Sequence, residues 1–236
     1  MKKLLCVALG AYAILLAPAP ALAAAPALQY EGMRLGDAPA AVLAQAERVF
    51  PWARFIPREQ AHDPVAIRAG DPRGSESDTC AYDDTQETHV PCLSVYFGFA
   101  SARQGGGLTN IHVERSFGPG TGIDAFVAGL VKDYGPARLR SSEVTPASAD
   151  GPGWETTSLL WGGERTPPGA LRLSTFPADD REKFGGRYVS ALIDHQHGRV
   201  IGATLRVVDS AKTDATHREH MAEVERAAAR EGSGAR

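Results

Sequence analysis

Apolar positions recur along this chain at two periods, and the period marks the element. From Asp37 to Pro51, Val42, Leu43, Ala46, Val49 and Phe50 fall at helical spacing, with Pro39 in the first turn and Pro51 as the stop. Asp37 stands where an N-cap is wanted. A second stripe, Ile123, Phe126, Val127, Leu130, Val131 and Tyr134, follows a Thr121/Asp124 capping-box pattern and ends at Gly135-Pro136. These two stretches predict the clearest helices.

Period two takes over from Leu93. Leu93, Val95, Phe97 and Phe99 share one face, with Ser94, Tyr96 and Gly98 on the other. Ile111, Val113 and Phe117 repeat the pattern against Asn110, His112, Glu114 and Ser116. Pairing the two as a hairpin with like faces matched sets Phe97 opposite Ile111 and Tyr96 opposite His112. Further strands are predicted at 155–161, 170–176, 187–194 and 200–208, with the segment from Asp194 to Gly198 as a hairpin turn. Residues 57–79 are rich in Pro, Gly, Asp and Ser and read as loop. From Ser210 onward only Met221, Val224 and Ala228 give a helix an apolar edge, which predicts an exposed helix or fraying tail.

The predicted fold class is therefore α+β: an antiparallel sheet packed by two amphipathic helices. Both halves run from a capped helix into strands, and laying Gly36 on Gly120 aligns Ala41 with Ala125, Val42 with Phe126 and Phe50 with Tyr134. This reading divides the chain at 24–118, 119–209 and a polar helical tail 210–236.

Residues 1–23 fall outside that plan. Lys2 and Lys3, the apolar run Leu4 to Leu16 and the small residues Ala21-Leu22-Ala23 form the pattern of a cleavable secretory signal. The run is too short for a membrane-spanning helix. Periplasmic or secreted localisation is the expectation, and the abundance of Arg over Lys fits a bacterium with a GC-rich genome. Maturation leaves two cysteines, Cys80 and Cys92, which an oxidising compartment would join as a disulfide. Closing so short a loop contributes about 3 kcal/mol. Without Lys2 and Lys3 the chain carries 23 basic against 28 acidic side chains, a net charge of −5, and has no basic block. That balance argues against nucleic acid as a partner.

The helix ending Leu130-Val131-Lys132-Asp133-Tyr134-Gly135-Pro136, followed by antiparallel strands, resembles the helix-plus-sheet unit of the beta-lactamase inhibitor protein group and the small outer-membrane assembly lipoproteins. The resemblance covers 30–208 in outline and implies a binding or inhibitory module. No lipid-modifiable cysteine stands at the cleavage site, so it does not extend to a lipid anchor.

No G-x-S-x-G, H-E-x-x-H, P-loop or dinucleotide fingerprint occurs. The best binding candidates are Ser94, Tyr96, Asn110, His112 and Glu114, which alternation places together on the polar side of the hairpin, with a protein of the envelope as partner and no cofactor. Two other classes stay open. His195 and His197 in one turn, with His217 and His220 one helical turn apart, would make a metal-binding protein if the tail folded back onto that turn. An unrecognised hydrolase would need a nucleophile and a base to converge in a pocket. Asp83, Asp84 and Glu87 lack EF-hand spacing and read as a solvated acidic loop.

Overall fold

The computed structural model describes residues 28–51, 53–60, 63–70, 92–117, 120–147, 152–174 and 177–233. The signal segment, Cys80 and the acidic loop lie outside them, and with Cys80 so does the disulfide pairing. In chain order the elements are strands β1 (Gln29–Tyr30) and β2 (Met33–Arg34), helix α1 (Pro39–Val49), strands β3 (Arg54–Gln60), β4 (Asp63–Gly70), β5 (Cys92–Phe99) and β6 (Leu108–Ser116), then helix α2 (Ile123–Tyr134). Strands β7 (Leu139–Thr145) and β8 (Trp154–Gly162), helix α3 (Pro177–Phe184), strands β9 (Arg187–Gln196) and β10 (Arg199–Asp209), and helix α4 (Ser210–Ser233) complete it. Strands β3 to β10 form one eight-stranded antiparallel sheet in the order β3-β4-β5-β6-β10-β9-β8-β7. The class is α+β.

Each half is a helix followed by four strands, and the halves meet where their last strands, β6 and β10, pair. The likeness extends to single residues. Gly36 and Gly120 both have positive φ (97° and 133°), and helices begin at Pro39 and Ile123, each at the same distance beyond its glycine. Between glycine and helix, the carbonyl of Asp37 accepts from Leu108 N and the carbonyl of Thr121 from Val200 N, so each half ties its helix entry to the start of its last strand.

Helices α1 and α2 cover one sheet face. Val42, Ala46 and Phe50 from the first helix segment and Val127, Leu130 and Tyr134 from the second share a buried cluster with Val95, Phe97, Ile111, Val113, Val189, Ala191, Ile193 and Val207. The expected hairpin register is observed, with Phe97 opposite Ile111 and Tyr96 opposite His112. The turn between β9 and β10 takes positive φ at His197 (51°) and Gly198 (75°), the backbone a two-residue hairpin of right-handed twist demands.

Several expectations are corrected. Residues 57–60 and 63–70 belong to the hairpin β3–β4, not to a loop; Pro57 is tolerated because β3 is the sheet's edge strand. Of the segment 170–176, the described residues 170–174 are not a strand: Leu171 packs into a second cluster with Leu160, Phe184, Tyr188 and Val208 as irregular chain. Strand β7, mostly exposed and polar, gave no periodic signal. Neither helix is capped as the sequence suggests. Ala38 and Gly122 hold the N-cap positions with no side-chain bond, while the Asp37 carboxylate accepts from Arg34 N at 2.8 Å and closes the preceding turn.

The largest correction is the tail. Helix α4 packs on β4, β6 and β10 of the face opposite α1 and α2, burying Ser210, Thr213 and Thr216. Arg181 Nε contacts Asp214 at 2.8 Å, the Ser101 hydroxyl donates to Glu219 at 2.5 Å, and Arg103 reaches the same carboxylate at 3.2 Å. Residues 221–230 are exposed. Truncation before Ser210 should therefore cost about 2 kcal/mol or more, lowering Tm by roughly 6 °C, whereas truncation after His220 should change it little. Differential scanning calorimetry of the two shortened chains separates a docked helix from a fraying one.

Candidate functional site

Strand pairing builds the polar face of the sheet row by row. Tyr96, His112, Arg206 and Ser190 lie opposite one another across β5, β6, β10 and β9. The next row is Ser94, Glu114, Thr204 and Leu192, and beyond it run Ser116, Gly202, Asp194 and Thr156. On the other side Gly98 opposes Asn110, whose amide lies so close that a Cβ at Gly98 would sit 2.2 Å from Nδ2. The five residues expected to face together, Ser94, Tyr96, Asn110, His112 and Glu114, are thus neighbours. Ser94 is buried and the other four are half-buried.

Residues that alternation alone did not single out hold the centre of this face. Arg206, 4% exposed, donates through Nη1 to Asp180 Oδ2 at 2.9 Å and to the Ser174 carbonyl at 2.7 Å. Asp180, fully buried, also accepts from Ser174 N at 2.9 Å and has Lys183 Nζ at 3.6 Å. Burial pushes the Asp180 carboxyl up and the Arg206 guanidinium down, each opposed by the partner's charge. Arg206 shows in the sequence only as a polar position of an alternating strand, and nothing local marks Asp180 as its partner. Among the described residues the buried atoms Tyr188 OH and Ser210 Oγ find no hydrogen bond, so α4 and α3 close over a polar seat with unspent hydrogen-bonding capacity.

Burial, reinforced by the Arg206 charge, lowers the His112 pKa to about 3. Glu114 Oε1 at 3.3 Å from Nε2 pulls the other way, but desolvation dominates for a ring this enclosed. With the folded value below the unfolded one, about 6.5, the unfolded chain binds the extra proton. The contribution of His112 to stability is thus complete above pH about 6.5 and should fall by about 1 kcal/mol per pH unit as pH drops towards 3. Urea titrations at stepped pH should show a steeper acid loss for the wild type than for His112→Gln.

The histidines of the metal reading are not brought together. His195 and His197 lie at the β9–β10 turn, while α4, carrying His217 and His220, starts from the far end of β10, roughly 33 Å away along an extended strand. Among the described residues no three His, Cys, Asp or Glu side chains are grouped to hold a metal ion. His195 instead faces Thr157, Oγ1 to Nε2 3.0 Å, with Glu155 3.9 Å from Nδ1. This hydroxyl, imidazole and carboxylate share the order of a nucleophilic triad. Thr157 and His195 are 2% and 6% exposed, however, which leaves a substrate carbonyl no approach to the hydroxyl.

Comparison with protein-family models, with curated proteins and with solved structures finds no significant match. Among the described residues no helix is long and apolar enough to cross a membrane.

Proposed function

We infer that this chain is an exported, non-enzymatic binding module of the bacterial envelope, built from two copies of a helix-plus-four-strand unit, whose contact surface for a protein partner is the part of the polar sheet face beyond α4. One observation carries the reading. While α1 and α2 cover the other face, Glu114, Thr204, Leu192, Asp194 and Thr156 form adjoining half-exposed rows. Thr204 stands roughly 16 Å along β10 from the point where α4 begins. A sheet face that mixes one aliphatic side chain with hydroxyls and carboxylates suits an interface, in which an apolar centre is ringed by polar contacts. Burial raises the Asp194 carboxyl, while the Thr156 hydroxyl donating to it at 2.7 Å opposes that rise and holds the side chain at the edge of this surface. The segment 1–23 supports export, and Cys80 and Cys92 support an oxidising compartment.

The test is site-specific photocrosslinking in the native envelope. A crosslinker at Thr204 should yield one discrete adduct that Leu192→Arg abolishes, while one at Ala125, exposed on α2 across the sheet, should yield none. Adducts from both positions, or from neither, would defeat the assignment of the face. Intact mass of the periplasmic protein should place its N-terminus near Ala24.

A further inference from the structure

On the opposite side of the sheet, at the seam between the two halves, the β1–β2 hairpin and the end of α2 enclose a cleft of about 370 Å³. It is lined by Tyr30 and Tyr134, by Leu130 and Leu205, and by the carboxylate residues Glu31 and Asp133. Leu205 points away from Arg206, its neighbour on β10, so the cleft is separate from the polar face. Both tyrosine rings are packed against a second aromatic ring. Tyr30 stacks on Phe50 at 6.4 Å between centroids, and Tyr134 leans on Trp161 at 5.5 Å, whose Nε1 donates to the Gly135 carbonyl at 2.7 Å. The Tyr134 hydroxyl donates to the Gln29 carbonyl at 2.9 Å and ties helix to hairpin.

The electrostatics of the cleft favour positive charge. Burial, then Glu31, raises the Tyr30 phenol to about 12, and burial, then Asp133, Tyr30 and Glu31, raises Tyr134 further. Both phenols are neutral, and both carboxylates act on the space between them. Arg115, held 4.6 Å over the Phe117 ring, opposes the rise at Tyr30, and Arg34 donates through Nε to the Gln29 side chain at 3.1 Å.

The hairpin tip adds an independent sign. Glu31 and Gly32 both have positive φ (50° and 82°). Asn, Asp or Gly is favoured at the first position of such a turn. A glutamate there is strained, and Gln45 Nε2 holds it by donating to the Glu31 carbonyl at 2.6 Å. The strained position carries a carboxylate residue of the cleft lining, where the preferred glycine would leave none.

We propose that this cleft binds an organic ammonium group, seated between the Tyr30 and Tyr134 rings with Glu31 and Asp133 as its counter-charges. Aromatic faces attract such cations, and the cleft is within the size range of small-molecule sites. Calorimetry and tyrosine NMR shifts on the full mature chain test it with three probes: choline, n-butylammonium, and the neutral carbon isostere of choline. Saturable binding of a cation without binding of the isostere is expected. A preference for choline identifies a quaternary ammonium as the ligand, and a preference for butylammonium a primary amine such as a lysine side chain. Glu31→Gly should raise Tm by relieving the turn while weakening cation binding about tenfold, and Asp133→Asn should weaken it similarly. A gain in stability with loss of binding separates a site from a structural role. Absence of saturable binding by both cations, equal binding of the isostere, or unchanged affinity in both variants would overturn the proposal.

Discussion

Replacing Phe97 by alanine is expected to destabilise the protein by about 3 to 5 kcal/mol. Phe97 is fully buried at the middle of β5, opposite Ile111, within the cluster that Val42 and Ala46 of α1 help to close. Strand β5 sits between β4 and β6, so the backbone can collapse little towards the vacated space. Loss of transfer free energy and a residual cavity then add. Tyr96→Ala, one residue away, empties a half-buried position on the polar face and should cost about 1 kcal/mol. Urea denaturation of both variants is the check. Equal losses would mean that α4 seals Tyr96 as completely as α1 and α2 seal Phe97.

Asp180→Ala should be as damaging, about 3 to 5 kcal/mol, for a different reason. The substitution removes little apolar area, but it takes the Asp180 counter-charge from the Arg206 guanidinium in a site that is 4% exposed and unties the Ser174 backbone amide. An unpaired buried charge is costly, whereas a well-packed apolar pair in the same space is often neutral. The double variant Asp180→Leu with Arg206→Met should therefore recover most of the loss made by Asp180→Ala. A double-mutant cycle on the same two positions measures the coupling. If Asp180→Ala cost less than about 1 kcal/mol, α3 would not belong to the cooperative unit that includes the sheet.

The sequence by itself determined the elements whose period is carried by neighbouring residues. The stripes of α1 and α2, the alternation of β5, β6, β9 and β10, the glycine turn at Gly198 and the Tyr96–His112 register all follow from side-chain periodicity and turn stereochemistry. Parity alone placed Ser94, Tyr96, Asn110, His112 and Glu114 on one face, because successive strand residues alternate sides. What covers a face is a different matter. Alternation says that the two sides of a sheet differ in polarity and nothing about which distant segment lands on either. The polar edge of α4, Ser210, Thr213 and Thr216, reads as solvated until the sheet is seen to offer it an equally polar seat. The edge strands β3 and β7 escaped notice because one-sided hydrogen bonding relaxes the demand for β-branched, proline-free sequence. Arg206 meets Asp180, and Tyr30 faces Tyr134 across the cleft, only because the order of strands folds the chain back on itself. Such pairings between residues far apart in the chain leave no local pattern, so they belong to the tertiary structure alone.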